Sequence, residues 1–118
     1  MTGPGRNRPE QADPEAADVV GSTRARLGPV GVWLGALNAA SVAEERPAAR
    51  HIEDLGYGSL FVGERIGGKE SMAHQALLLA ATDHIVTGTG IANVWSRHPA
   101  ALEGGSALLG AATRAGSS

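Results

Sequence analysis

Three short apolar runs punctuate the chain, and segments of helical periodicity separate them. Val30-Gly31-Val32-Trp33-Leu34-Gly35, Ser59-Leu60-Phe61-Val62-Gly63-Glu64 and the stretch from His84 to Ala92 are continuous rather than alternating in hydrophobicity. That is the pattern of strands covered on both faces. After the first run, Ser41-Val42-Ala43-Glu44 fits a capping box. Ala48, Ile52 and Leu55 then recur at helical spacing up to Gly56, a good residue just past a helix end. Pro47 falls inside this helix, so the spacing predicts either a kink or a regular helix that begins there. Ser71 is expected to cap a second helix reaching Thr82, with Met72, Gln75, Ala76 and Leu79 on one stripe. Leu77, Leu78, Ala80 and Ala81 widen that stripe, so this helix needs cover on more than one side. Pro99 suits the first position of a third helix, in which Gly104 and Gly105 each cost roughly 1 kcal/mol against alanine.

The order β-α-β-α-β-α predicts parallel strands joined by right-handed crossovers. A free three-stranded sheet of this kind leaves two open edges. The chain therefore reads as α/β, and as the first part of a larger α/β protein. Residues 1–27 have another texture, with three of the six prolines, eight charges of balanced sign, and Val19-Val20 as the sole sizeable apolar pair before Leu27. Such a stretch buries too little to offset its ordering entropy. It is expected to be a disordered leader, with the folded part over residues 28–118.

Composition agrees with a chain short of material for a large core. Of its 118 residues 42% are apolar, but 17 are glycine and only 3% are aromatic. The net charge of −2 and a pI of about 6.0, with no Lys/Arg cluster, argue against nucleic acid as a partner. The absence of cysteine excludes a disulfide scaffold, a zinc-thiolate site and a cysteine nucleophile. No apolar run approaches the ~20 residues of a membrane span, and the opening residues lack a signal-peptide h-region. No membrane partner is expected, and the cytoplasm is the default location.

Gly63-Glu64-Arg65-Ile66-Gly67-Gly68-Lys69-Glu70 imitates a P-loop, except that Glu70 stands where Ser or Thr would hold magnesium. A carboxylate there repels a triphosphate, so this is read as a glycine-rich βα loop. The histidines His51, His74, His84 and His98 show no metal-ligand spacing, and no metal site is expected. His51 and His74 read as surface or core-edge residues. His98, on a loop after a strand, is the better functional candidate. Glu64 is the acid of most interest, because it ends a buried strand on the face where α/β proteins bind ligands. Burial is expected to raise its pKa and suit it to proton transfer; pairing with Arg65 or Arg97 is the structural alternative.

Three segments carry a resemblance: Gly31 to Gly35; Ile52-Glu53-Asp54-Leu55-Gly56-Tyr57-Gly58 with Ser59 to Glu64; and Thr89-Gly90-Ile91-Ala92-Asn93-Val94-Trp95-Ser96-Arg97-His98-Pro99-Ala100-Ala101. In order and spacing they resemble the N-terminal part of the luciferase-like monooxygenase superfamily, most closely its deazaflavin (coenzyme F-420)-dependent branch. The likeness covers about residues 28–112. It implies the first three βα units of a (β/α)8 TIM barrel, truncated, and an oxidoreductase of monooxygenase or hydride-transfer type acting on a small-molecule substrate. The implied cofactor is the deazaflavin, with FMN as second choice.

By the same resemblance, Glu64 is the catalytic acid and touches the cofactor ring side. Arg65 stands beside it where the deazaflavin dehydrogenases often carry His. Gly90-Ile91 matches a non-prolyl cis peptide beneath the ring, and Asn93 offers it amide hydrogen bonds. Trp95 and Arg97 follow on the loop. A chain with part of such a site is expected to be inactive alone, its partner being a second copy or a missing C-terminal half. The alternative is a non-catalytic truncated barrel that acts only through association.

Overall fold

The computed structural model describes residues 14–116. The elements are helix α1 (Pro14–Leu27), strand β1 (Gly31–Trp33), a 3-10 turn (Gly35–Asn38), α2 (Val42–Asp54), β2 (Ser59–Val62), α3 (Ser71–Ala81), β3 (Val86–Thr89) and α4 (Pro99–Gly116). The three strands form one parallel sheet in the order β1-β2-β3. Gly31 pairs with Ser59 at one junction, and Ser59 with Val86 at the other. The β-α-β-α-β-α order and the parallel pairing are those the sequence predicts.

Local signals explain most element ends. Ser41 caps α2: its hydroxyl accepts from the Glu44 N–H at 3.2 Å, and the Glu44 carboxylate accepts from the Ser41 N–H at 3.1 Å. α2 runs on through Pro47 rather than starting there. It ends at Asp54, and Gly56, just past the Leu55 cap, carries the chain out of the helix at a φ of +95° and no side-chain cost. The start of α3 differs from expectation by one residue. The cap is Glu70, whose carboxylate accepts from the N–H groups of Met72 and Ala73 at 2.8 and 3.0 Å. Ser71 is already the first helical residue.

Residues 14–27, expected to lack structure, form α1; residues 1–13 of that leader lie outside the described residues. Pro14 opens the helix, where a missing N–H costs nothing. Glu15 in the first turn and Arg24 and Arg26 in the last complement its dipole. Gly28 closes it at φ +73°, its N–H donating to the Arg24 carbonyl at 3.2 Å. Residues 15–26 are exposed throughout. The Pro14 start, the end charges and the Gly28 close are the local terms that favour this helix without burial.

The core lies between the sheet and α2 and α3. Leu60, Val62, Ala49, Leu78, Leu37, Ile52 and Ile85 are buried, with Val32, Leu34 and Ala48 packed at the margin. α3 has α2 on one side and α4 on the other, the double cover its broad apolar stripe requires. Its buried face is Ser71, His74, Gln75 and Leu78, so the stripe is rotated from the predicted one. Gly105, costly inside α4, sits where a Cβ would press on Met72 of α3 at 3.1 Å.

The return from α1 into the sheet is tight. A Cβ on Gly58 would collide with the Leu27 carbonyl oxygen and come within 2.7 Å of its carbon. Backbone cannot swing aside as a side chain does. Gly58→Ala should therefore destabilise the chain by about 1–3 kcal/mol, the usual cost of overpacking. Denaturant unfolding would check this; an unchanged midpoint would mean that α1 does not dock there.

Before β3, Glu53 of α2 gathers the Asp83, His84 and Ile85 N–H groups, the last two at 2.6 and 2.8 Å. Burial pushes this carboxyl up, but those backbone donors outweigh it and hold the pKa below its ordinary value. A depressed carboxylate stabilises the fold above the unfolded value of about 4.3 and loses that contribution as pH falls through the folded value. Protonation of this carboxylate should thus lower the melting temperature as the pH falls on the acid side. Glu53→Gln should be less stable near neutrality and flatter in acid; a Gln variant with the wild-type acid slope would remove Glu53 as the cause.

Candidate functional site

The three strands end together, and their loops build one face of the molecule. From the end of β1, Trp33 reaches across the sheet to β3, its Nε1–H donating to the Gly90 carbonyl at 2.8 Å. A Cβ on Gly90 would stand 2.9 Å from that nitrogen, so glycine is what lets the indole lie so close. Gly63 lies between them at the end of β2, and the Gly90–Ile91 peptide bond is cis. Trp33, Gly63, Gly90, Ile91, Glu64 and Arg65 line a cavity of about 400 Å³, together with Gly35, Asn38 and Ala39 from the segment before α2.

Glu64 is partly buried, with its side chain 3% exposed. Oε1 accepts from the Asn93 N–H at 3.0 Å and Oε2 from the Ser71 N–H at 2.8 Å. The Arg97 guanidinium also binds Oε2, and reaches Glu70 at 3.0 Å and the Asn93 carbonyl at 3.2 Å. The expectation of a raised Glu64 pKa is corrected. Burial does push it up, but Arg97 and the two backbone donors outweigh burial and hold it below the ordinary value. Glu64 is a standing carboxylate, and of the two cations proposed as partners the one bound is Arg97. The same two carboxylates raise the Arg97 pKa.

A second charged cluster lies deeper, and sequence reasoning missed it. Lys69 turns inward, its ammonium donating to the carbonyls of Leu37 and Ala40 at 2.7 Å each and to Glu45 at 2.8 Å. Glu45 of α2, 2% exposed, also binds His74 Nε2 of α3, and His74 Nδ1 is buried without a partner. Of the two places expected for His74, surface or core edge, the surface is excluded: the residue is buried in the core. The P-loop imitation ends here as well: its lysine is spent on the preceding loop, and Glu70 occupies the helix N-terminus a phosphate would need.

A family model for luciferase-like monooxygenases matches residues 19–113. This chain belongs to that family. The match begins inside α1 and takes in the whole sheet and the strand-end face. Searches of curated proteins and of solved structures found no match. Membership in the luciferase-like family points to oxidoreductase chemistry. No helix among the described residues is long and apolar enough to cross a membrane.

Of the residues singled out in the sequence, Glu64, Arg65, Gly90 and Ile91 come together on the 400 Å³ cavity of this luciferase-like domain. Asn93 does not line it: its side-chain Oδ1 accepts from the Trp95 N–H at 2.9 Å, and its backbone faces Glu64 and Arg97. His98 caps α4, its Nδ1 accepting from the Ala100 N–H at 3.1 Å, which gives this functional candidate a structural task. Trp33 and Asn38 were not singled out for the site. An aromatic residue closing a strand was the available signal for the first.

Proposed function

We propose that this chain forms the strand-end wall of a flavin or deazaflavin site in a luciferase-like oxidoreductase, with FMN as the second choice of cofactor. Its three βα units would be the opening part of a (β/α)8 barrel. The observation that carries the reading is the cavity lined by Gly63, Gly90 and Ile91 beside the Trp33 indole. A planar ring fits between such surfaces, and no side chain projects from the two glycines. Glu64 would face the ring side and Arg65 the rim. Oε2 of Glu64 already has two donors and Oε1 has one, so Oε1 keeps a lone pair for a ligand donor. Asn93 would act through its backbone, by fixing Glu64. When bound, the ring would supply the hydride or electron chemistry, while the protein orients it and excludes water.

Trp33 lines this cavity, so quenching of its fluorescence reads the site, with the exposed Trp95 as the one other tryptophan signal. Titration with FMN and with deazaflavin should give weak, saturable quenching and no substrate turnover by the chain alone. Absence of quenching by either would reject the reading.

A second reading, a partial barrel that acts only in association with another chain, draws on the free outer edges of β1 and β3 among the described residues. Light scattering tests it. A dimer or larger species would favour it, and a stable monomer would count against it.

A further inference from the structure

Arg97 ties the two loops above β2 and β3 into one piece. Its Nη1 donates to the Asn93 carbonyl on its own loop, and its Nη2 meets Glu64 and Glu70, which flank the loop before α3. The segment from Gly90 to Asn93 is consequently held at four points. The Gly90 N–H donates to Val62 O at 2.8 Å, and the Gly90 carbonyl accepts from Trp33. The Asn93 N–H donates to Glu64, and the Asn93 carbonyl accepts from Arg97. Arg97 itself does not line the 400 Å³ cavity; it lines a neighbouring one of about 520 Å³ with Glu70, Met72 and Ser96.

We infer that Arg97 is a positioning residue: its fork sets the Gly90–Asn93 segment against Trp33 and so shapes the cavity floor without touching the ligand. The inference rests on the ring-site reading and adds to it the device that holds the floor in place. The planar guanidinium serves three acceptors in fixed directions, whereas lysine is a point charge on a flexible stem. Arg97→Lys should keep the charge balance of Glu64 and Glu70 but lose the fork.

The test compares the 15N-labelled wild type with Arg97→Lys, following the Trp33 indole N–H resonance, the FMN affinity and the melting temperature. The lysine variant should melt near the wild type, shift or broaden the Trp33 indole signal, and bind FMN about tenfold more weakly, equivalent to about 1.4 kcal/mol. Arg50→Lys, at the exposed Arg50–Asp83 pair, should move neither signal nor affinity. An unmoved Trp33 resonance in Arg97→Lys would overturn the inference. If the wild type binds no FMN, the ring-site reading fails, and the indole resonance alone still decides whether Arg97 positions the segment. Should Arg97→Lys not fold, Glu70→Gln removes one anchor and faces the same readouts: a moved indole signal supports the inference and an unmoved one overturns it.

Discussion

Replacing Glu45 with alanine should cost the fold about 3–5 kcal/mol, the penalty for removing one partner of a buried charged cluster. The carboxylate is 2% exposed and is the shared acceptor of Lys69 and His74. Without it, Lys69 keeps the Leu37 and Ala40 carbonyls but no counter-charge. His74 would then have neither ring nitrogen bonded, because its Nδ1 already lacks a partner. A small domain has only about 5–15 kcal/mol of net stability, so this single change should bring the chain close to unfolding at room temperature. Glu45→Gln, which retains an acceptor oxygen, should lose less. Replacing Glu45, Lys69 and His74 together with apolar residues of similar size should be far milder than the alanine change, since no charge is then stranded. Urea unfolding of the three variants gives the comparison. If Glu45→Ala stays within about 1 kcal/mol of the wild type, the cluster is not closed to water.

What could be read from the sequence follows from the distance along the chain over which each feature is determined. The α2 cap depends on residues three apart, Ser41 and Glu44, and was legible. So were the Pro99 start of α4 and the Gly56 end of α2, each fixed by one backbone constraint. α1 carried equally local signals in Pro14, Arg24, Arg26 and Gly28, yet Val19-Val20 as its sole sizeable apolar pair pointed the other way. The buried cluster was illegible because its partners are 24 and 29 positions apart. Nothing near Lys69 marks it as facing Glu45 rather than a phosphate. Glu64 was half legible. A strand-ending acid announces its place on the ligand face, and Arg97 stood among its proposed partners. The sign of its pKa shift was missed, because it depends on the N–H groups of Ser71 and Asn93, which become neighbours only in the folded chain.

Glu64→Ala should lower stability by about 2–4 kcal/mol near neutral pH, since the Ser71 and Asn93 N–H groups and Arg97 all lose their acceptor. The pH dependence of that loss distinguishes a standing carboxylate from a proton carrier. The folded-state pKa of Glu64 is depressed, so the stability it contributes is fully present above the unfolded value of about 4.3 and fades as pH falls through the folded value. The gap between wild type and Glu64→Ala should therefore be widest near neutrality and narrow in acid. A gap independent of pH would show that the carboxylate is not ionised in the way its three donors require. Glu64→Gln should fall between the two, because an amide turned to offer oxygen to Ser71 and Arg97 sets its NH2 against the Asn93 N–H. Ligand binding should follow the same order, since losing this carboxylate frees the Asn93 end of the Gly90–Asn93 segment, which then keeps only its Gly90 anchors to Val62 and Trp33 on the sheet side. A group so firmly ionised is poorly suited to exchange protons near neutral pH. In the proposed ring site it would supply a fixed negative charge and hold the Asn93 loop, rather than carry a proton.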